Sequence, residues 1–361
     1  MPPPSHVSRV KTVASRPTIM TSPSSASASD YRFLFLMIPS LFILSLAIGL
    51  FEFSSNITVD NFHYLTNRLM HPDSERSTHS FNPSHFLVEV KSRYLWLTTV
   101  VIMLVAGLYA SILCGMIVYQ SHPRPRMAVV AGVGTILAAM GLFSLLALDE
   151  THTLYRAVFA FSYENLRQAG PERISPELLR YAKTVVSLIN VEAVVVPVVA
   201  ILAACSTLAP PLTGDQADPD FCATQMKRLK EVLGASSAVL VAGVLHMGAW
   251  LRWPAALISD KAAHEAVLGA AMAVTLFWGV TFTLMLVSTY LPAAFILAKR
   301  AQALLQADPD TRSPSAQEAW LKQHGLFLSL HDHVPQFGLM LAPLLASPLS
   351  SLLLAPLAPS G

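Results

Sequence analysis

Long uncharged runs alternate along this chain with short charged connectors. Phe33 to Phe51 is free of charge between Arg32 and Glu52. At a helical rise of about 1.5 Å per residue, that run crosses a hydrocarbon core of about 30 Å. Comparable runs follow at Tyr94 to Gln120, Met127 to Leu148, Thr184 to Leu208, Val232 to Leu251 and Ala266 to Ala298. The pattern predicts an all-α fold, a polytopic bundle of six transmembrane helices over residues 31–307. Residues 1–30, rich in Ser and Pro, read as a disordered N-terminal tail, with Met20 an alternative start. Residues 308–361 read as a short helical tail.

The connectors refine this plan. Ala47 and Gly49 would permit signal-peptide cleavage near Gly49, but the length and Phe content of the first run favour a retained anchor. Residues 54–93 are polar and read as an outer loop with His63, His71, His79 and His85, Asp60, Asp73 and Glu75, and a glycosylation acceptor at Asn56-Ile57-Thr58. The second and third spans, joined by Ser121-His-Pro-Arg-Pro-Arg126, should form a hairpin. Small residues recur in both every fourth position, at Gly107, Ser111 and Gly115 and at Ala131, Thr135 and Ala139, and mark close helix contacts.

Leu154 to Arg167 suits a short helix in the outer interface, stopped by Gly170-Pro171. Ser175-Pro176 then supplies an N-cap and first-turn proline for the fourth span. Trp250 and Trp253, at the end of the fifth span, suit an interfacial aromatic belt. The sixth run, at 33 residues, is too long for the core and must tilt, kink or project, with Pro292 the expected kink or exit.

In the tail, Ser315-Ala-Gln-Glu318 has capping-box spacing and Gly325 should end the helix it opens. The last 28 residues are uncharged but hold Pro335, Pro343, Pro348, Pro356 and Pro359. Proline removes helix hydrogen bonds that lipid cannot replace. That favours a segment packed on the bundle or at the interface over a seventh span.

Composition supports the membrane reading. Residues of hydrophobic type make up 53% and charged residues 13%, about half the share usual in soluble domains. A net charge of +2 without a basic tract gives no nucleic-acid footprint. Arg124, Arg126, Lys227, Arg228, Lys230, Lys299 and Arg300 all lie close to one set of span ends, which the positive-inside rule makes cytoplasmic. Both termini then face the cytoplasm. Cys114, Cys205 and Cys222 fall toward that reducing side. Without a retrieval or lipidation signal, a bacterial inner membrane is the expected setting.

The candidate chemistry centres on Glu192, a carboxylate inside the fourth run with Asn190 beside it. Charged side chains in the hydrocarbon are costly and face protein or water. His246 in the fifth span is expected at a similar depth, with Asp149, Glu150 and His152 at the outer mouth of the third span and Arg252 at that of the fifth. Together they would make a polar vestibule in which a proton or cation is bound or relayed. The plainer alternative pairs or neutralises Glu192 inside the bundle and leaves His246 a core histidine.

Catalytic signatures are lacking: His264-Glu265 begins like HExxH, but Leu268 stands at the second ligand position. The loop histidines, spaced by 8, 8 and 6, match no zinc pattern, and His331 and His333 would diverge on a helix. No cofactor, metal or enzyme activity is therefore expected. The candidate functions are ion or small-solute passage, or a membrane-anchored sensor or assembly subunit. The lipid bilayer is the implied partner, and a homo-oligomer or a membrane partner protein fits either reading.

Overall fold

Backbone groups in lipid must be satisfied within the chain, so apolar runs of this length close as helices. The computed structural model describes residues 28–54, 59–70, 83–211, 218–307, 313–327 and 334–353. Its helices are α1 (Met37–Phe53), α2 (Val59–Met70), α3 (Pro83–Ser121), α4 (Arg124–Ala147), α5 (Thr153–Tyr155), α6 (Phe161–Gln168), α7 (Pro176–Ser206), α8 (Pro219–Arg252), α9 (Lys261–Ala307), α10 (Pro314–Gln323) and α11 (Val334–Leu353). No strand occurs among the described residues. Six helices, α1, α3, α4, α7, α8 and α9, are long and apolar enough to cross a membrane. The all-α transmembrane bundle is the fold. Residues 1–27 of the expected 1–30 tail, with Met20, and the Asn56 acceptor, His71, Asp73, Glu75, His79, His331 and His333 lie outside the described residues, while Ala28 to Asp30 open a helical segment leading into α1.

α8 and α3 form the centre. The buried face of α3 is Trp96, Val100, Met103, Gly107, Ala110, Cys114 and Ile117, alternating steps of four and three along its length. Such a stripe packs in the manner of a left-handed coiled coil. It meets α8 on one side and α7 on the other. α4 does not complete the expected hairpin against this stripe and instead lies on α7. There Gly134 and Gly141 receive Leu202 and Val194, each approaching too closely for a Cβ. Ala131, Thr135 and Ala139 are exposed, and of α4 only Val130 is buried.

Several boundaries also move. Where it is described, the expected outer loop is helical over 59–70, which form α2, and from Pro83, where α3 begins rather than near Tyr94. α8 begins at Pro219, capped by Asp218 accepting from the Phe221 amide at 2.6 Å, so Lys227, Arg228 and Lys230 stand on a helix. α9 continues through Pro292 to Ala307 and projects beyond any core thickness. Ser40 clamps α1 to it through the hydroxyls of Ser288 (3.0 Å) and Thr289 (2.5 Å). Ser313, not Ser315, precedes α10, and Glu318 pairs with Lys322 at 2.8 Å instead of closing a capping box. Gly325 ends the turn at φ +64°, a conformation open to glycine.

The proline-rich end forms α11, packed along α8 and α9. Pro343 removes the amide that would have bonded the Leu339 carbonyl. Ser237 of α8 supplies the missing donor, its hydroxyl donating to that carbonyl at 2.6 Å. Gly279 of α9 lets the two backbones meet, since a Cβ there would lie 2.8 Å from the Pro343 oxygen.

Candidate functional site: two carboxylates along α3

Glu192 leaves α7 toward α3 and its carboxyl rests against Gly107. Any side chain at position 107 would occupy the place of Oε1. Both Glu192 oxygens are buried and have no hydrogen-bond partner among the described residues. Asn190, two residues earlier and so on another face of the helix, is exposed.

His246 is 7% exposed and lies under Trp96, with ring centroids 6.2 Å apart. Trp96 and Gly107 are eleven residues apart on α3, about 16 Å along its axis. Glu192 and His246 therefore meet α3 at different levels. A cavity of about 50 Å³ between α7, α8 and α9 is lined by Pro197, Val232, Leu240, Met285 and Tyr290 among others, and neither Glu192 nor His246 lines it.

The level of His246 holds residues that sequence reasoning missed or misplaced. Trp250 and Trp253 are 2% and 0% exposed, so they are core residues and not a lipid-facing belt. Trp253 stacks on Trp96 at 5.2 Å and Trp250 packs tilted against it at 5.5 Å. The Trp253 indole donates to Glu89 Oε1 at 3.0 Å, and Arg93 donates to Glu89 Oε2 at 3.2 Å. Glu89, 3% exposed, is thus a second carboxylate of the bundle, and its oxygens are engaged. Asn82-Pro83 followed by Phe86, Leu87 and Val90 was the available signal for a helix start there. Lys91 and Arg93 hid it by making the segment look like loop. Arg252 is buried nearby.

At the turn that follows α4, Asp149 and His152 bond each other at 3.0 Å. The Thr151 hydroxyl and amide, together with His152, hold Asp149 down at about 2. Glu150 faces His63 of α2 at 3.1 Å, and Arg156 donates to the carbonyls of Glu150 and Thr151 at 2.6 and 3.0 Å. Glu52 accepts the amides of Thr153 and Leu154 at 2.8 and 3.0 Å, capping α5 with an anion. These contacts tie α1, α2 and the α4–α5 turn together. At the opposite end, His122 bonds the Ser206 hydroxyl at 2.9 Å and stacks on Phe33. Burial, aided by Arg126, lowers it to about 4.

Fold and site together define a multi-pass α-helical integral membrane protein. No family model, curated protein or solved structure matches the chain.

Proposed function

We propose that the protein passes ions or small solutes across the membrane, with Glu192 taking up the proton or cation that moves; a bacterial inner membrane remains the expected setting. The observation that carries this reading is the seat of Glu192, a carboxyl sealed between α3 and α7 with neither oxygen partnered. An ionised carboxylate taken from water without a partner costs several kcal/mol. Loading the group with a proton or cation favours the closed contact, and unloading it favours admission of water between the helices. Binding and the α3–α7 contact are thereby coupled. The packed contact offers no open route past Glu192, so passage proceeds by helix movement. His246, Asn190, Asp149, Glu150 and His152 act in this reading as separate polar stations.

Ion and proton flux into liposomes, wild type beside Glu192→Gln over a range of pH, tests this. Flux that falls at least tenfold in the variant at equal reconstitution supports it. Tight liposomes for both proteins contradict it.

A second reading, a sensor or assembly subunit, is favoured by α4, whose exposed apolar side includes Ile136, Met140 and Phe143 beside Ala131, Thr135 and Ala139. Ala131→Trp with Ala139→Trp would then abolish co-purification of a partner or second copy and leave flux untouched.

A further inference from the structure

We infer that α11 crosses the membrane as a seventh span, which places the chain beyond Leu353 on the face opposite α10. Four contacts set its depth. The Lys230 ammonium, near the start of α8, donates to the Gly325 carbonyl at 3.2 Å and holds the end of the α10 segment at that level. Ser237 meets the carbonyl of Leu339. On α9, Gly279 meets Pro343 and Thr275 bonds Ser347 at 2.9 Å.

Residue numbers fall on α9 as they rise on α11, and α8 is turned back into α9 by the short segment at Trp253–Leu257. α11 therefore runs parallel to α8 and antiparallel to α9. Counting from the Ser237–Leu339 contact, Val334 stands at the level of Val232 and Leu353 at the level of Leu251. Those are the two ends of the uncharged run of α8. Counting from Gly279, α11 covers the levels of about residues 269 to 288 on α9, inside its uncharged run. At 20 residues, α11 is about 30 Å long, the thickness of a hydrocarbon core.

Its surface agrees with that depth. Met340, Pro343, Ala346 and Ser347 face the bundle, while Leu341, Leu345 and Leu349 are 43, 53 and 51% exposed on the outer side. No charge interrupts it. The sequence argument against a span was the helix hydrogen bonds lost at its prolines, and at Pro343 Ser237 replaces the lost bond from within the bundle.

The test is accessibility in sealed, uniformly oriented vesicles. An epitope tag is appended after Gly361, and Lys322→Cys on α10 is labelled in a chain whose Cys114, Cys205 and Cys222 are replaced by Ala. The expected result is that tag and thiol are reached from opposite faces. Reaching both from the same face overturns the proposal. Proteolysis of untagged wild type, read by mass spectrometry, guards against a tag effect. Peptides covering 334–353 should survive protease on either side, and cleavage within them from either side overturns the crossing.

Discussion

Glu89 and Glu192 are both carboxylates of packed helices, and they differ in what their oxygens meet. Glu89 is nearly inaccessible and receives an indole N–H and a guanidinium. Glu192 rests on the bare backbone of Gly107 and receives no hydrogen bond among the described residues. A group whose lone pairs are filled by fixed donors rigidifies its surroundings. One left unpartnered in a sealed contact does not contribute stability and needs another reason to be there. The difference separates a strut from a candidate site, and burial alone does not, because Glu89 is the more buried of the two.

The largest effect that would sharpen this contrast is on stability. Glu89→Ala leaves the Trp253 indole and Arg93 without their acceptor and should cost about 2 to 3 kcal/mol. In detergent this would be read as a lower unfolding midpoint and poor recovery. A loss below about 0.5 kcal/mol would remove the distinction. Next comes Gly107→Leu, which puts a side chain where the Glu192 carboxyl sits. It should loosen α3 from α7 by about 1 to 3 kcal/mol of overpacking and change flux at the same time. Glu192→Gln should move the unfolding midpoint by less than about 1 kcal/mol, since no hydrogen bond is lost. Its effect belongs to flux.

A smaller effect concerns pH at the His122 cluster. Burial holds His122 at about 4 against its ordinary 6.5, so the unfolded chain takes up this proton first as pH falls. The stability it contributes is complete above about 6.5 and is lost progressively as pH drops to about 4. His122→Asn should flatten the stability profile in that window, read by unfolding midpoints from pH 7 to 4. An unchanged slope would show that burial beside Arg126 does not keep the ring neutral.

The spans were legible because lipid imposes one requirement, an uncharged helix of sufficient length, and that requirement is written locally. Which helix sits inside is written less plainly. α4 and α8 have mean hydropathies of 2.2 and 1.7, yet the share of each span buried is 11% and 61%. Apolar residues have no reason to leave lipid, so hydropathy does not rank burial there. The steps of four and three from Trp96 to Ile117 did mark the inner stripe of α3. Reading only every fourth small residue found Gly107 and missed the stripe.

Glu192 stood out as one carboxylate in an apolar run, whereas Glu89 was hidden among Lys91 and Arg93. Trp250 and Trp253 were misread because an interfacial position and a buried ring stack share one sequence pattern. The prolines of α11 argued against a span, and no local pattern shows that the bond lost at Pro343 is replaced by a donor 102 residues away.

The central claim is that the charge state of Glu192 and the α3–α7 contact are coupled. It is met most directly by spin labels at the lipid-facing positions Leu108 and Val191 in reconstituted protein, with their distance measured from pH 5 to pH 9. The account predicts a distance that lengthens as pH rises in the wild-type background and stays constant with Glu192→Gln. A wild-type distance that does not change with pH, or one that changes equally in the variant, would contradict it.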